Sequence, residues 1–178
     1  VIVWIDIETT GLDPFGDEIL EVGFMTTTEN LTVVHYQSWL TYPPFGMPVL
    51  DDFITNMHTK SGLLEELKEL QGSGFEPGRD DTQNNMLEYL SMVAEPGTLP
   101  MAGSSVHFDR EFMKHQFPKV HDWFHYRNLD ISSISNAAKI WKPEIAAGAP
   151  AGRGFHRAIP DLEDTLELAK YYRKELFG

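Results

Sequence analysis

VIVWIDIETTGLDPFGDEILEVGF, residues 1–24, carries the pattern from which the architecture follows. Two apolar runs flank a turn region at Gly11–Asp17, and the first run is interrupted by Asp6 and Glu8. Residues i and i+2 of a strand project from the same face, so these two carboxylates repel one another. That spacing is costly unless something positive lies between the charges. Two readings are open at this point: the pair faces solvent, or it holds a metal ion.

Residues 2–6 read as a first strand, and 19–27 and 31–40 as two more, separated by the turn-like Glu29-Asn30. Together they predict an antiparallel meander. TYPPFGMP (41–48) reads as a loop. SGLLEELKELQ (61–71) has a helical apolar period with Ser61 as its N-cap. A loop follows over 72–81, and then a helix capped by Asp81 or Thr82 runs to about residue 94. LPMAG (99–103) reads as a short buried strand. SVHFDREFMKHQF (105–117) reads as an amphipathic helix with Phe108, Phe112, Met113 and Phe117 inward. LDISSISNAAKIW (129–141) is a strand end and a helix, 146–154 a loop, and 160–176 a last helix with Pro160 in its first turn. The expected fold is α/β: a mixed β-sheet, antiparallel in its first strands, packed by helices.

At 178 residues the chain is long enough for one domain with a proper core, and a single domain over 1–178 is expected. No apolar stretch reaches the ~18 residues of a membrane span, and no secretory leader pattern opens the chain. Because it begins at Val1 rather than Met, a few leading residues are expected to have been trimmed. With no cysteine, disulfides and thiolate metal sites are excluded. The composition is that of a soluble protein and is compatible with a reducing cytoplasm. The net charge of −13 argues against a protein that grips long nucleic acid through many phosphates. Any nucleic-acid chemistry here should work through metal ions and a small local site, favouring short substrates.

Three acidic signals stand out. Asp6-Ile7-Glu8 is the first; two carboxylates on one strand face suit hard divalent cations and the ion pairs used in in-line phosphoryl displacement. The second is Asp109, which taken alone is an ordinary solvated helix residue. In the third, FHRAIPDLED (155–164), His156 precedes Asp161 by five positions at the mouth of the last helix. His is the natural base for taking a proton from water near neutrality. The plain alternative is that Asp161, Glu163 and Asp164 only complement the helix dipole.

Read jointly, D-x-E on a first strand, a mid-chain Asp on a helix and H-x4-D at a terminal helix resemble the DEDDh exonucleases. WIDIETTGLDP, MHTKSGL, AGSSVHFDREFM, FHYRNLDISSI, AAKIW and FHRAIPDLEDT further resemble, in order and spacing, the oligoribonuclease family. HYRNLDISS is the most specific of these segments. Four positions depart from that family's pattern: Thr9 where Met is usual, Ser104 where Asn is usual, Phe53 where Trp is common, and Pro160 where an acid is usual. None removes a ligand.

The resemblance implies a ribonuclease H-like exonuclease fold and 3′-to-5′ exoribonuclease activity on short oligoribonucleotides, dinucleotides especially. Asp6, Glu8, Asp109 and Asp161 would hold two divalent ions, Mg²⁺ or Mn²⁺, and His156 would be the general base. Leu12 would be an apolar wedge against the terminal bases, although core burial is its plain alternative. Phe53 and Tyr126 would stack on bases. Tyr126, Arg127 and Ser132 would come from the partner subunit of a homodimer to cap the substrate's 5′-phosphate, a task that suits the Arg fork. His58 and Ser105 join the substrate-binding set by motif position. The expected partners are short RNA, with short DNA left open, and the expected location is the cytoplasm. Rival readings are a broader 3′-to-5′ exonuclease on single-stranded ends, a catalytically dead nucleotide-binding module, and a calcium-binding domain. The last lacks any D-x-D-x-D-G loop.

Overall fold

β1 (Ile2–Thr9) lies at the centre of a five-stranded sheet ordered β3-β2-β1-β4-β5. β2 (Ile19–Thr27) and β3 (Val33–Leu40) continue from it as an antiparallel meander, as expected. β4 (Pro100–Gly103) and β5 (His125–Asp130) join its other edge in parallel. The helices are α1 (Asp52–Lys60), α2 (Leu63–Gly72), α3 (Arg79–Val93), α4 (His107–Gln116), α5 (Pro118–Trp123), α6 (Ile131–Trp141), α7 (Pro143–Ala147) and α8 (Ala158–Phe177). The computed structural model describes residues 1–74 and 76–178; Phe75, within the loop expected over 72–81, lies outside the described residues.

The two faces of β1 explain why apolar residues occupy both of them, at five of its eight positions. Val3, Ile5 and Ile7 face one core, shared with Met86, Tyr89 and Leu90 of α3, Phe112 and Met113 of α4, and Val120 of α5. Trp4 faces a second core with Ile131 and Ala138 of α6 and Leu162, Leu166, Ala169 and Tyr172 of α8. A strand covered on both sides has no need of hydrophobic alternation. Each fully buried large side chain contributes roughly 1.5–3 kcal/mol, so the acids are placed in a layer built to exclude water. Trp4 also donates its indole N–H to Thr27 Oγ1 at 3.0 Å, which satisfies its one polar atom.

On the Trp4 face, β1 and β2 are in register at Trp4↔Met25, Asp6↔Gly23 and Glu8↔Glu21. Gly23 admits the start of α8: a Cβ there would lie 2.6 Å from Ala158 Cβ and 3.2 Å from its carbonyl carbon. The missing side chain lets α8 approach the sheet directly beside Asp6. Gly23→Ala is therefore expected to cost about 1–3 kcal/mol by overpacking, read as a lower urea midpoint with an unchanged slope. An unchanged midpoint would mean that α8 does not rest on β2 at this point.

Several local expectations are revised. β1 runs on to Thr9, and α3 begins at Arg79, capped by Gly78 rather than by Asp81 or Thr82. Ser61 is not the N-cap of α2; it closes α1, with its N–H on the Met57 carbonyl, and Gly62 at φ 80 starts α2. α1 leaves no periodic trace in the sequence because only Ile54 and His58 of its nine residues are buried. The short α7 occupies part of what reads as an Ala-rich loop.

Candidate active site

Asp6 and Glu8 project from the Trp4 face of β1 towards the first turn of α8, where they meet Asp161. One carboxylate oxygen from each of the three lies within 4.8 Å of the others. Asp161 reaches this point because α8 begins over Gly23, one turn earlier. Asp109 comes from α4, which follows β4 after the short connection 104–106; at the end of β4 a Cβ on Gly103 would sit 2.8 Å from the Ile5 carbonyl oxygen, so glycine lets β4 lie close against β1 there. Asp109 is 4% exposed, so it is not the solvated helix residue it resembles in isolation.

Packing four acids together moves their protonation upward. Burial, followed by the charges of Asp109, Glu8, Asp161 and Glu21, holds Asp6 well above the usual carboxylate range. Burial, then Asp161 and Glu21, pushes Glu8 to about 8. Burial raises Asp109 to about 7, against the opposing effect of backbone N–H groups at Asp109 and Ile7. Asp161 is raised by burial, with the neighbouring His156 working in the other direction. The donor set is hard oxygen throughout, which fits Mg²⁺ or Mn²⁺. A divalent cation would relieve the same repulsion that lifts these values.

His156 stands at the lip of a cavity of about 360 Å³ lined by Phe53, Asn56, Met57, Lys60 and Phe155. It has a φ of 53°, and Ser105 one of 54°. Non-glycine residues rarely adopt this left-handed conformation, and such strain concentrates at functional sites. Ser105 donates its N–H to Asp130 Oδ1 at 2.9 Å and its hydroxyl to Ser132 Oγ at 3.0 Å. Ser104 Oγ lies 2.9 Å from the same Ser132 hydroxyl, within one chain. Asp130 caps α6 through the Ser132 N–H and lies outside the carboxylate trio.

His58 is fully buried close to the acids. Its Nε2 donates to the Thr9 carbonyl at 2.8 Å, which leaves Nδ1 as a lone pair 3.9 Å from Glu8 Oε2 with no hydrogen-bond partner among the described residues. Burial holds its imidazole below the usual range. Leu12 is 81% exposed on the β1–β2 turn and Phe53 is 73% exposed beside His156, so neither is a core residue. Tyr126 and Arg127 lie on the edge strand β5, two strands away from β1, with the Arg127 guanidinium 5.3 Å from the Tyr126 ring centre. Within one chain they are apart from the Phe53 cavity.

The exonuclease family model RNase_T matches residues 3–169. An oligoribonuclease of Nitrosomonas europaea is 38% identical over 179 residues, covering 99% of this chain and 96% of its own. That of Hahella chejuensis is 35% identical over 175 residues, covering 97% and 93%. The chain belongs to the oligoribonuclease family. Among solved structures, E. coli exonuclease I in complex with a dA16 oligonucleotide superposes with a TM-score of 0.72 at 16% identity, over 98% of this chain and 41% of that one. A moderately thermophilic exonuclease I from Methylocaldum szegediense gives 0.69 at 18%, over 98% and 40%. At such identities the likeness speaks for the fold alone: the ribonuclease H-like exonuclease fold, of which this chain spans about two-fifths of the exonuclease I length. Two residues beside the acids are not among those the sequence singles out. Glu21 is 1% exposed, and Arg157 is paired to it. A signal for Glu21 does exist, a charge inside the apolar run ILEVGF, of the same kind that marks Asp6 and Glu8.

Proposed function

We propose that residues 1–178 form one exonuclease domain that removes 5′-mononucleotides from the 3′ end of short oligoribonucleotides, dinucleotides above all. The observation that carries this is the carboxylate trio within 4.8 Å, beside a His156 that lines a cavity of about 360 Å³. That volume lies at the lower end of small-molecule sites, about 300–1,000 Å³, which suits a terminal nucleoside better than a long strand.

Asp6, Glu8, Asp161 and Asp109 would hold two divalent ions, Mg²⁺ or Mn²⁺. When bound, the ions supply charge stabilisation of an in-line phosphodiester displacement. His156, exposed at the cavity lip, accepts the proton of the attacking water. Phe53 offers an aromatic face to a base, worth about 1–3 kcal/mol in single-strand binders. Leu12, from the turn after β1, contributes an apolar wedge. Ser105 serves as a polar substrate contact, and Ser132 goes with Tyr126 and Arg127 to the site of a second subunit. His58, fully buried on the Thr9 carbonyl, supports Glu8 from behind instead of touching substrate.

Tyr126 and Arg127 are assigned to the site of a second subunit, where the Arg fork would cap the substrate's 5′-phosphate. This reading is supported by their exposed position on the edge strand of the sheet, and by their separation from their own cavity. A homodimer and a cytoplasmic location belong to the same proposal. No described helix is long and apolar enough to cross a membrane.

The test is a side-by-side digestion of a 5′-labelled diribonucleotide, a 7-mer RNA and a 24-mer single-stranded DNA, with Mn²⁺ and with EDTA. Fast, metal-dependent loss of the dinucleotide with the longer chains lagging is expected. Equal digestion of the 24-mer while the dinucleotide persists would leave the nuclease standing and remove the phosphate cap.

A further inference from the structure

His156 is flanked by two arginines, and each ties its backbone to a different part of the molecule. On one side Arg153 donates Nε to Asp164 at 2.6 Å and Nη2 to Glu163 at 2.9 Å and to the Pro160 carbonyl at 3.2 Å, all on α8. On the other side Arg157 forks onto Glu21 of β2, Nε to Oε2 at 2.9 Å and Nη2 to Oε1 at 3.2 Å, and also reaches Glu66 of α2 at 2.7 Å. The Ala158 N–H donates to the same Glu21 oxygen at 3.2 Å. One buried carboxylate therefore fixes residues 157 and 158 by three bonds, in orientation as well as position.

As a stabilising device alone, this pair is badly placed. Glu21 stands directly opposite Glu8 in the β1–β2 register, adding a negative charge next to an already crowded acidic site. Buried ion pairs seldom add net stability over apolar replacements. What the arrangement does supply is geometry: a planar fork locked to a central strand, one residue after a histidine held in a left-handed conformation. We propose that Arg157 is a positioning residue for His156, with Glu21 as its anchor on the sheet and Glu66 linking α2 to the same loop.

The inference rests on His156 being the general base, so its test separates the two. Arg157→Lys, His156→Asn and the double variant would be compared as full-length protein on a diribonucleotide with Mn²⁺, alongside melting temperatures. Arg157→Lys keeps the charge and loses the fork. It is expected to lower kcat by about ten-fold or more with KM within about two-fold, and to add less than about two-fold in the His156→Asn background, the non-additivity of groups acting as a unit. Wild-type kcat in Arg157→Lys, or a full multiplicative loss in the double variant, would overturn the positioning role. Wild-type kcat in His156→Asn would instead remove the base assignment and the inference with it. Glu66→Gln provides the answer if Arg157→Lys does not fold, since Glu66 is half-exposed. A kcat lowered by about two- to five-fold at constant KM supports the proposal, and an unchanged kcat overturns it.

Discussion

Asp6→Asn is expected to abolish metal-dependent cleavage while making the metal-free protein more stable. Asn nearly preserves the shape of the side chain but carries no charge. Asp6 is held well above the usual carboxylate range by burial and by four neighbouring acids, so its ionised form opposes folding. A carboxylate whose pKa is raised on folding binds protons more tightly in the native state, so stability is highest below the unfolded value and falls as pH rises to the folded value. For Glu8 that window runs from 4.5 to about 8, and for Asp109 from 3.8 to about 7.

The metal-free wild type should therefore melt several degrees lower at pH 8 than at pH 5. A divalent ion at about 100 times its Kd adds about 2.7 kcal/mol, or roughly 5–10 °C for a chain of this length, and should flatten that slope. In Asp6→Asn the slope should be shallower without metal, and the Mn²⁺-induced rise should be much reduced. Scanning fluorimetry at pH 5, 6.5 and 8, with EDTA and with Mn²⁺, measures all of this. An Asp6→Asn variant that keeps the full Mn²⁺ shift and its activity would dismiss Asp6 as a ligand.

His156→Asn should lower kcat by about 10²–10⁴-fold, the range for loss of a general base, with KM and the Mn²⁺-induced melting shift close to wild type. Asn is chosen because it tolerates a φ near 53° better than Ala. The ring is exposed and lies outside the carboxylate trio, so neither the core nor the cation donors are altered. Single-turnover measurement on a diribonucleotide isolates the chemical step. A loss smaller than ten-fold would mean that another group takes the proton.

Elements whose side chains repeat with a period are legible in the chain before it folds, and so are the acids that break such a period. Asp6 and Glu8 stand out because a charge in a strand covered on both faces violates the burial rule. The meander follows from two β-rich runs on either side of the turn-like Glu29-Asn30, and the inward faces of α4 and α8 from helical spacing. The family resemblance then ties Asp109, His156 and Asp161 to them. Whatever depends on neighbours distant in the chain had to wait for the folded molecule. Asp109, tied to the site by the resemblance alone, reads from its own helix as a surface charge, and its burial beside Ile7 of β1 shows only in the fold. α1 shows too few buried residues to announce itself, yet it delivers Phe53 and His58 to the site. Glu21 and Arg157 are 136 positions apart and form a pair only because Gly23 lets α8 settle on β2. Periodicity reports which face of an element turns inward. What that face meets is set by packing, where each contact depends on the whole chain having closed.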